Sequence, residues 1–159
     1  MSDFIDDIAE NNEFRKKGLA LSEEFALVEG RRPRILIAGA VETSTGSMNK
    51  ICNTFADMGF DVDIAPKLKT LQKLVAQSLE NDADMILICS DNCISYAELL
   101  DFQSCVLPNQ PDMMMSLFVR DPNCMSSLEG HLKQWSIFDE KASAYLMGYN
   151  LLSQLLSHS

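Results

Sequence analysis

Five short apolar runs alternate with helical stretches along this chain, and that alternation restricts the fold more than any other feature. The runs are Ile35-Leu-Ile-Ala38, Val62 with Ile64, Met85-Ile-Leu-Ile-Cys89, Met113-Met-Met-Ser-Leu-Phe-Val119 and Trp135-Ser-Ile-Phe138. Runs this short and this uniformly apolar suit strands covered on both faces. The first helix reads over 3–28, with Phe14, Leu19, Leu21, Phe25 and Val28 at three- and four-residue steps. Gly30 and Pro33 stop it. A second runs from Gly46 to Met58 and ends at Gly59. A third is capped by Thr70, and others span Ile94 to Phe102, Met125 to His131 and Lys141 to Leu156. Each crossover helix returns the chain to the same strand sense, so the pattern predicts a parallel sheet with helices on both faces.

Ligands of such sheets bind beyond the carboxyl ends of the strands. The loops of interest are therefore 39–46, 90–94, 119–124 and 139–141. Glu42, Thr43, Ser44, Thr45 and Gly46 precede a helix start, where an anion is favoured; capping that helix is their simpler role. Ser90 has no neighbouring histidine and no nucleophile elbow, so a helix cap suits it better than catalysis. Asp91 and Lys141 stand after the third and fifth strands, where a phospho-accepting receiver domain carries an acid and a lysine. The acid pair such a domain needs after its first strand is reduced to Glu42 alone. Methionines 113–115 read as core, and His131 as a surface residue.

Charge removes whole classes of function. The 159 residues carry 13 basic and 23 acidic side chains, a net −10, which repels nucleic acid and anionic membranes. Cysteines 52, 89, 93, 105 and 124 contain no Cys-x-x-Cys pair, and the two histidines, His131 and His158, are far apart. Metal centres need tighter ligand clusters, so no metal site is expected. Buried thiols in a reducing cytosol are the expectation, with a cytoplasmic location. The acidic opening Met1-Ser-Asp-Phe-Ile-Asp-Asp has no secretory pattern, and no apolar run reaches membrane-span length.

Residues 32–92 resemble the cobalamin-binding domain of the methylmalonyl-CoA mutase family. The resemblance lies in Arg32-Pro-Arg-Ile-Leu-Ile-Ala38, Phe55-Ala-Asp-Met-Gly-Phe-Asp-Val-Asp-Ile64, Pro66, Thr70, Gln77 and Glu80. From 93 to 157 it continues as topology. It implies a flavodoxin-like α/β fold, with a five-stranded parallel sheet in the order 2-1-3-4-5. An N-terminal helical extension over 1–30 precedes the domain at 31–159.

The family's cofactor motifs are altered. Its Asp-x-His-x-x-Gly loop, whose histidine holds cobalt, is here Glu42-Thr-Ser-Thr-Gly46, without an imidazole. Its serine turn after the third strand keeps Ser90 but follows it with Asp91. Leu117-Phe-Val-Arg-Asp-Pro122 stands in place of its Gly-Gly pair, and Phe138-Asp-Glu-Lys141 in place of its Gly-Pro-Gly turn. Glu42, Thr43, Ser44, Gly46, Ser90 and Asp91 thus outline a degenerate pocket, with no cofactor expected. The resemblance then implies a non-catalytic accessory or structural subunit, alone not an enzyme. It would pair with itself or with a mutase-type protein through the apolar residues of the N-terminal helix. A corrinoid carrier without histidine ligation, or a receiver-like signalling module, is the alternative.

Overall fold

The computed structural model describes residues 2–40, 45–65, 71–130, 132 and 134–157; the side chains of 2–7, 45, 47, 127 and 129 lie outside the description. In chain order the elements are α1 (Ser2–Glu29), β1 (Arg34–Gly39), α2 (Thr45–Asp57), β2 (Asp61–Ile64), α3 (Leu71–Glu80), β3 (Met85–Ser90), α4 (Tyr96–Val106) and β4 (Met114–Val119). A 3₁₀ turn at Pro122–Cys124 follows, then α5 (Met125–Glu129), β5 (Trp135–Phe138) and α6 (Ala144–Ser157).

The five strands form one parallel sheet in the order β2-β1-β3-β4-β5, the expected flavodoxin-like arrangement. Period-two alternation divides its side chains between two cores. Leu36, Ala38, Ile86, Ile88, Met115 and Leu117 face the layer of α3, α4 and α5. Ile35, Ile37, Met85, Leu87, Cys89 and Phe118 face α2 and α6. All six residues of β3 are buried, whereas Ile64 on the edge strand β2 is 56% exposed. Met113 and Met115 are buried, as expected of core residues.

The first helix packs along α6 and against Met58, which follows α2. Its docking is keyed by one side chain. Met58 fills a slot between Gly18 of α1 and Gly148 of α6, and a Cβ on Gly148 would come within 2.7 Å of the Met58 sulfur. Ser22, buried, donates its hydroxyl to the Met58 carbonyl at 2.7 Å. Gly59 follows at φ +94°, a left-handed conformation that glycine alone adopts without strain. A Cβ there would also meet Ser22 at 2.7 Å. Phe25 is buried and Phe14 packs on Tyr149 of α6, with ring centroids 5.5 Å apart.

Arg31 then joins the end of α1 to the sheet. Its guanidinium donates twice to the Asp84 carboxylate at 2.8 Å, and the Arg34 backbone N–H donates to the same group at 2.8 Å. That hydrogen-bonded partner raises the Arg31 pKa.

Several boundaries differ from the sequence reading. The helix expected from Ile94 begins at Tyr96 and continues to Val106, because Ser95 caps it by accepting from the Ala97 N–H. The closing helix starts at Ala144 rather than Lys141. The Asp139 carboxylate accepts from the Lys141 N–H at 2.8 Å and holds the intervening turn. Thr70, the expected cap of α3, and His131 and His158 lie outside the described residues.

Candidate functional site at the carboxyl edge of the sheet

The parallel sheet brings the loops after β1, β3, β4 and β5 to one edge. Glu42, Thr43 and Ser44 of the first loop lie outside the described residues, and Gly46 is an exposed residue within α2. Ser90 closes β3 and is 3% exposed. Its hydroxyl donates to the Asn92 carbonyl at 2.6 Å. Ser90 therefore shapes its own turn and caps no helix, correcting the expected role; Ser95 is the cap. Its carbonyl accepts from the Arg120 N–H at 2.9 Å, fastening the β3 loop to the β4 loop.

Asp91 is half-buried, with a side-chain exposure of 21%, and faces Arg120 at 4.0 Å. The pair puts one negative and one positive group side by side at the mouth of the edge. Asp121 follows Arg120 and accepts from the Asn123 N–H at 3.0 Å, setting the 3₁₀ turn. Lys141, the lysine of the receiver-like reading, is exposed. Phe118 is buried among the residues facing α2 and α6, opposite Cys89 in register, so its ring serves the core.

The cysteines depart from expectation. Cys52 and Cys89 are buried, and burial pushes both thiols up, Cys89 far more so. Cys105 is exposed on α4. Cys93 and Cys124 form a disulfide instead of remaining thiols, with Cα atoms 5.5 Å apart. One stands in the loop after β3 and the other in the turn after β4, so parallel pairing of those strands brings them together. Spacing gave no sign of this, since 31 positions separate them. Asp121 shares their surroundings, and the three donor atoms all lie within 4.8 Å of one another. Sequence reasoning missed Arg120, Asp121 and this cysteine pair; their common signal is position directly after adjacent strands.

A cleft of about 620 Å³ opens at the opposite end of the sheet, beside Arg31, Asp84, Gln110 and Met113. The Arg31 and Asp84 side chains there are engaged with each other. Catalytic and ligand groups in this architecture gather at the carboxyl edge instead.

Part of this chain is similar to methylmalonyl-CoA mutases. The large subunit from Propionibacterium freudenreichii subsp. shermanii is 39% identical over 71 residues, 44% of this chain and 10% of that subunit. The Escherichia coli methylmalonyl-CoA mutase is 36% identical over 69 residues, again 10% of its length. The matched region thus spans about a tenth of these relatives, and it implies a region like a cobalamin-binding domain. No family model matches the chain. A crystal structure of a pilus assembly-related protein from Burkholderia pseudomallei superposes with a TM-score of 0.59 at 14% identity, over 79% of this chain and 90% of that one. That likeness is one of fold. Among the described residues no helix is long and apolar enough to cross a membrane.

Proposed function

We propose that this chain is a non-catalytic relative of the mutase cobalamin-binding domain that no longer ligates cobalamin and serves as an accessory protein. The observation that carries the reading is chemical. Between Val41 and Gly46 the sequence offers one carboxylate and three hydroxyls, and no imidazole. Neutral hydroxyls are poor donors to cobalt beside the histidine nitrogen they replace.

The residues at the edge do not fit a corrinoid held through an imidazole. Ser90 directs its hydroxyl to the Asn92 carbonyl. Asp91 adds a carboxylate beside it. Phe118 and Phe138 occupy the core beneath the ends of β4 and β5, where a buried nucleotide tail would need space. The partner-binding surface we assign to the outward side of α1. Leu27 and Val28 are 86% and 74% exposed there, and Ile8 is 47% exposed, apolar groups that association would cover. A cytoplasmic location accords with this role.

One experiment on the full chain tests the reading. Cobalamin is titrated at micromolar protein while absorbance is followed, and the same sample is sized by light scattering. The expected result is no spectral change and a mass above the monomer, reduced to monomer by Leu27→Glu with Val28→Glu. A saturable shift of the corrinoid bands overturns the loss of ligation. A monomer, alone and mixed with a cobalamin-dependent mutase, overturns the association.

A further inference from the structure

The Cys93–Cys124 bond crosses the edge where the candidate site lies. It ties the loop that carries Asp91 to the turn that follows Arg120. Its two ends differ in access: Cys93 is exposed and Cys124 is 1% exposed. A reagent from solvent therefore meets the bond at one sulfur only. A surface bond of this kind is chemically distinct from a disulfide enclosed in a core, which thiols cannot reach.

We propose that Cys93 and Cys124 form a thiol–disulfide exchange site that takes a small dithiol from solvent and opens and closes in the folded protein. The reagent's first thiolate attacks the Cys93 sulfur. The Cys93–Cys124 bond breaks, and Cys124 leaves with the electron pair and takes a proton from water. The reagent's second thiolate then attacks its own sulfur in the mixed disulfide. Cys93 is released, takes a proton, and the reagent departs as a cyclic disulfide. Two electrons and two protons pass from the dithiol to the chain. The reverse sequence needs an oxidised disulfide as acceptor.

The two buried thiols take no part in the exchange. Cys52 and Cys89 are buried, and both are held protonated by that burial, so neither supplies a competing thiolate. Reduction leaves the sheet intact. The Arg120 N–H donates to the Ser90 carbonyl at 2.9 Å and β3 pairs with β4 along its length, and none of these bonds runs through the disulfide. What is released is the outer part of the edge, roughly Asp91 to Ser95 and Asp121 to Cys124, the segments beside the candidate site.

The test uses the full chain, oxidised with a cyclic disulfide or reduced with dithiothreitol in native buffer. Both samples are then alkylated in denaturant and weighed. The expected result is five alkyl groups on the reduced chain and three on the oxidised chain, with a linked peptide joining Cys93 to Cys124. Reduction in native buffer is expected to go to completion with an unchanged far-ultraviolet spectrum. Amide hydrogen exchange should rise several-fold at 91–95 and 121–124 and nowhere in the core strands. Cys105→Ser should open and close the bond as the natural chain does, with four alkyl groups when reduced and two when oxidised, and Cys93→Ser should ignore the oxidant. Five alkyl groups after oxidation overturn the proposal. So does a bond that opens only in denaturant, or an exchange pattern that dithiothreitol changes equally in Cys93→Ser.

Discussion

Two regions of this molecule, the α1–α2–α6 face and the carboxyl edge of the sheet, are built on opposite terms. At the α1–α2–α6 side, contact is apolar and close: Met58 occupies a slot that two glycines leave open, and Ser22 meets its carbonyl. At the carboxyl edge, the contacts of the described residues include polar ones. Ser90 satisfies its own turn, Asp91 stands 4.0 Å from Arg120, and one disulfide bridges the loops. Side chains interlocked in a core admit few substitutions, whereas a solvated loop edge can change its residues while the sheet beneath persists. On the proposed reading, this difference is how the sheet would persist while the residues at its carboxyl edge change.

Met58 gives the sharpest way to break the comparison. It is fully buried and lies against Gly18 of α1 and Gly148 of α6. Met58→Ala should cost about 3 kcal/mol, from lost transfer energy and the cavity left behind. Chemical denaturation of the full chain measures it. A cost below about 1 kcal/mol would mean that α1 is loosely laid on the domain, and the contrast between the two sides would fall.

Asp84 comes next in size, because it closes the junction between the first helix and the sheet. It accepts from Arg31 twice and from the Arg34 N–H once, with its side chain 15% exposed. Asp84→Ala removes both acceptor oxygens and with them all three hydrogen bonds. The expected loss is about 2 kcal/mol, since charged hydrogen bonds lose more than neutral ones and the Arg34 N–H is left without that acceptor. Asp84→Asn should recover part of it by keeping one oxygen. Equal losses in the two variants would show that shape rather than hydrogen bonding holds the junction.

Legibility followed the same division between core and edge. The strands were readable because each is an apolar run between polar or turn residues; their parallel sense followed from alternation, and their order from the family resemblance. Ile51, Cys52, Phe55 and Met58 recur at three- and four-residue helical steps and are buried. The docking of α1 was not readable, because Gly18 and Gly148 acquire meaning only when Met58 lies between them in space. Ser90 misled for a local reason: several hydroxyl and amide residues stand before α4, and the cap is the one adjoining Tyr96. The Cys93–Cys124 pairing depends on which strands are neighbours, and a cysteine count carries no such information.

Arg120 offers the smallest effect and the most direct probe of the edge. Its guanidinium faces Asp91 at 4.0 Å with 54% of the side chain exposed. An ion pair so open to water is screened, and holding two long side chains together offsets much of its attraction. Arg120→Ala leaves the backbone bond from residue 120 to Ser90 in place, so only the charge pair is lost. Stability should change by no more than about 0.5 kcal/mol, and the Met58→Ala cost should be unaltered in the double variant because the two sites share no partner. A loss of 2 kcal/mol or more at Arg120, measured by the same denaturation, would show that the edge is structural. The carboxyl loops would then be part of the scaffold, and the freedom assigned to them would be gone.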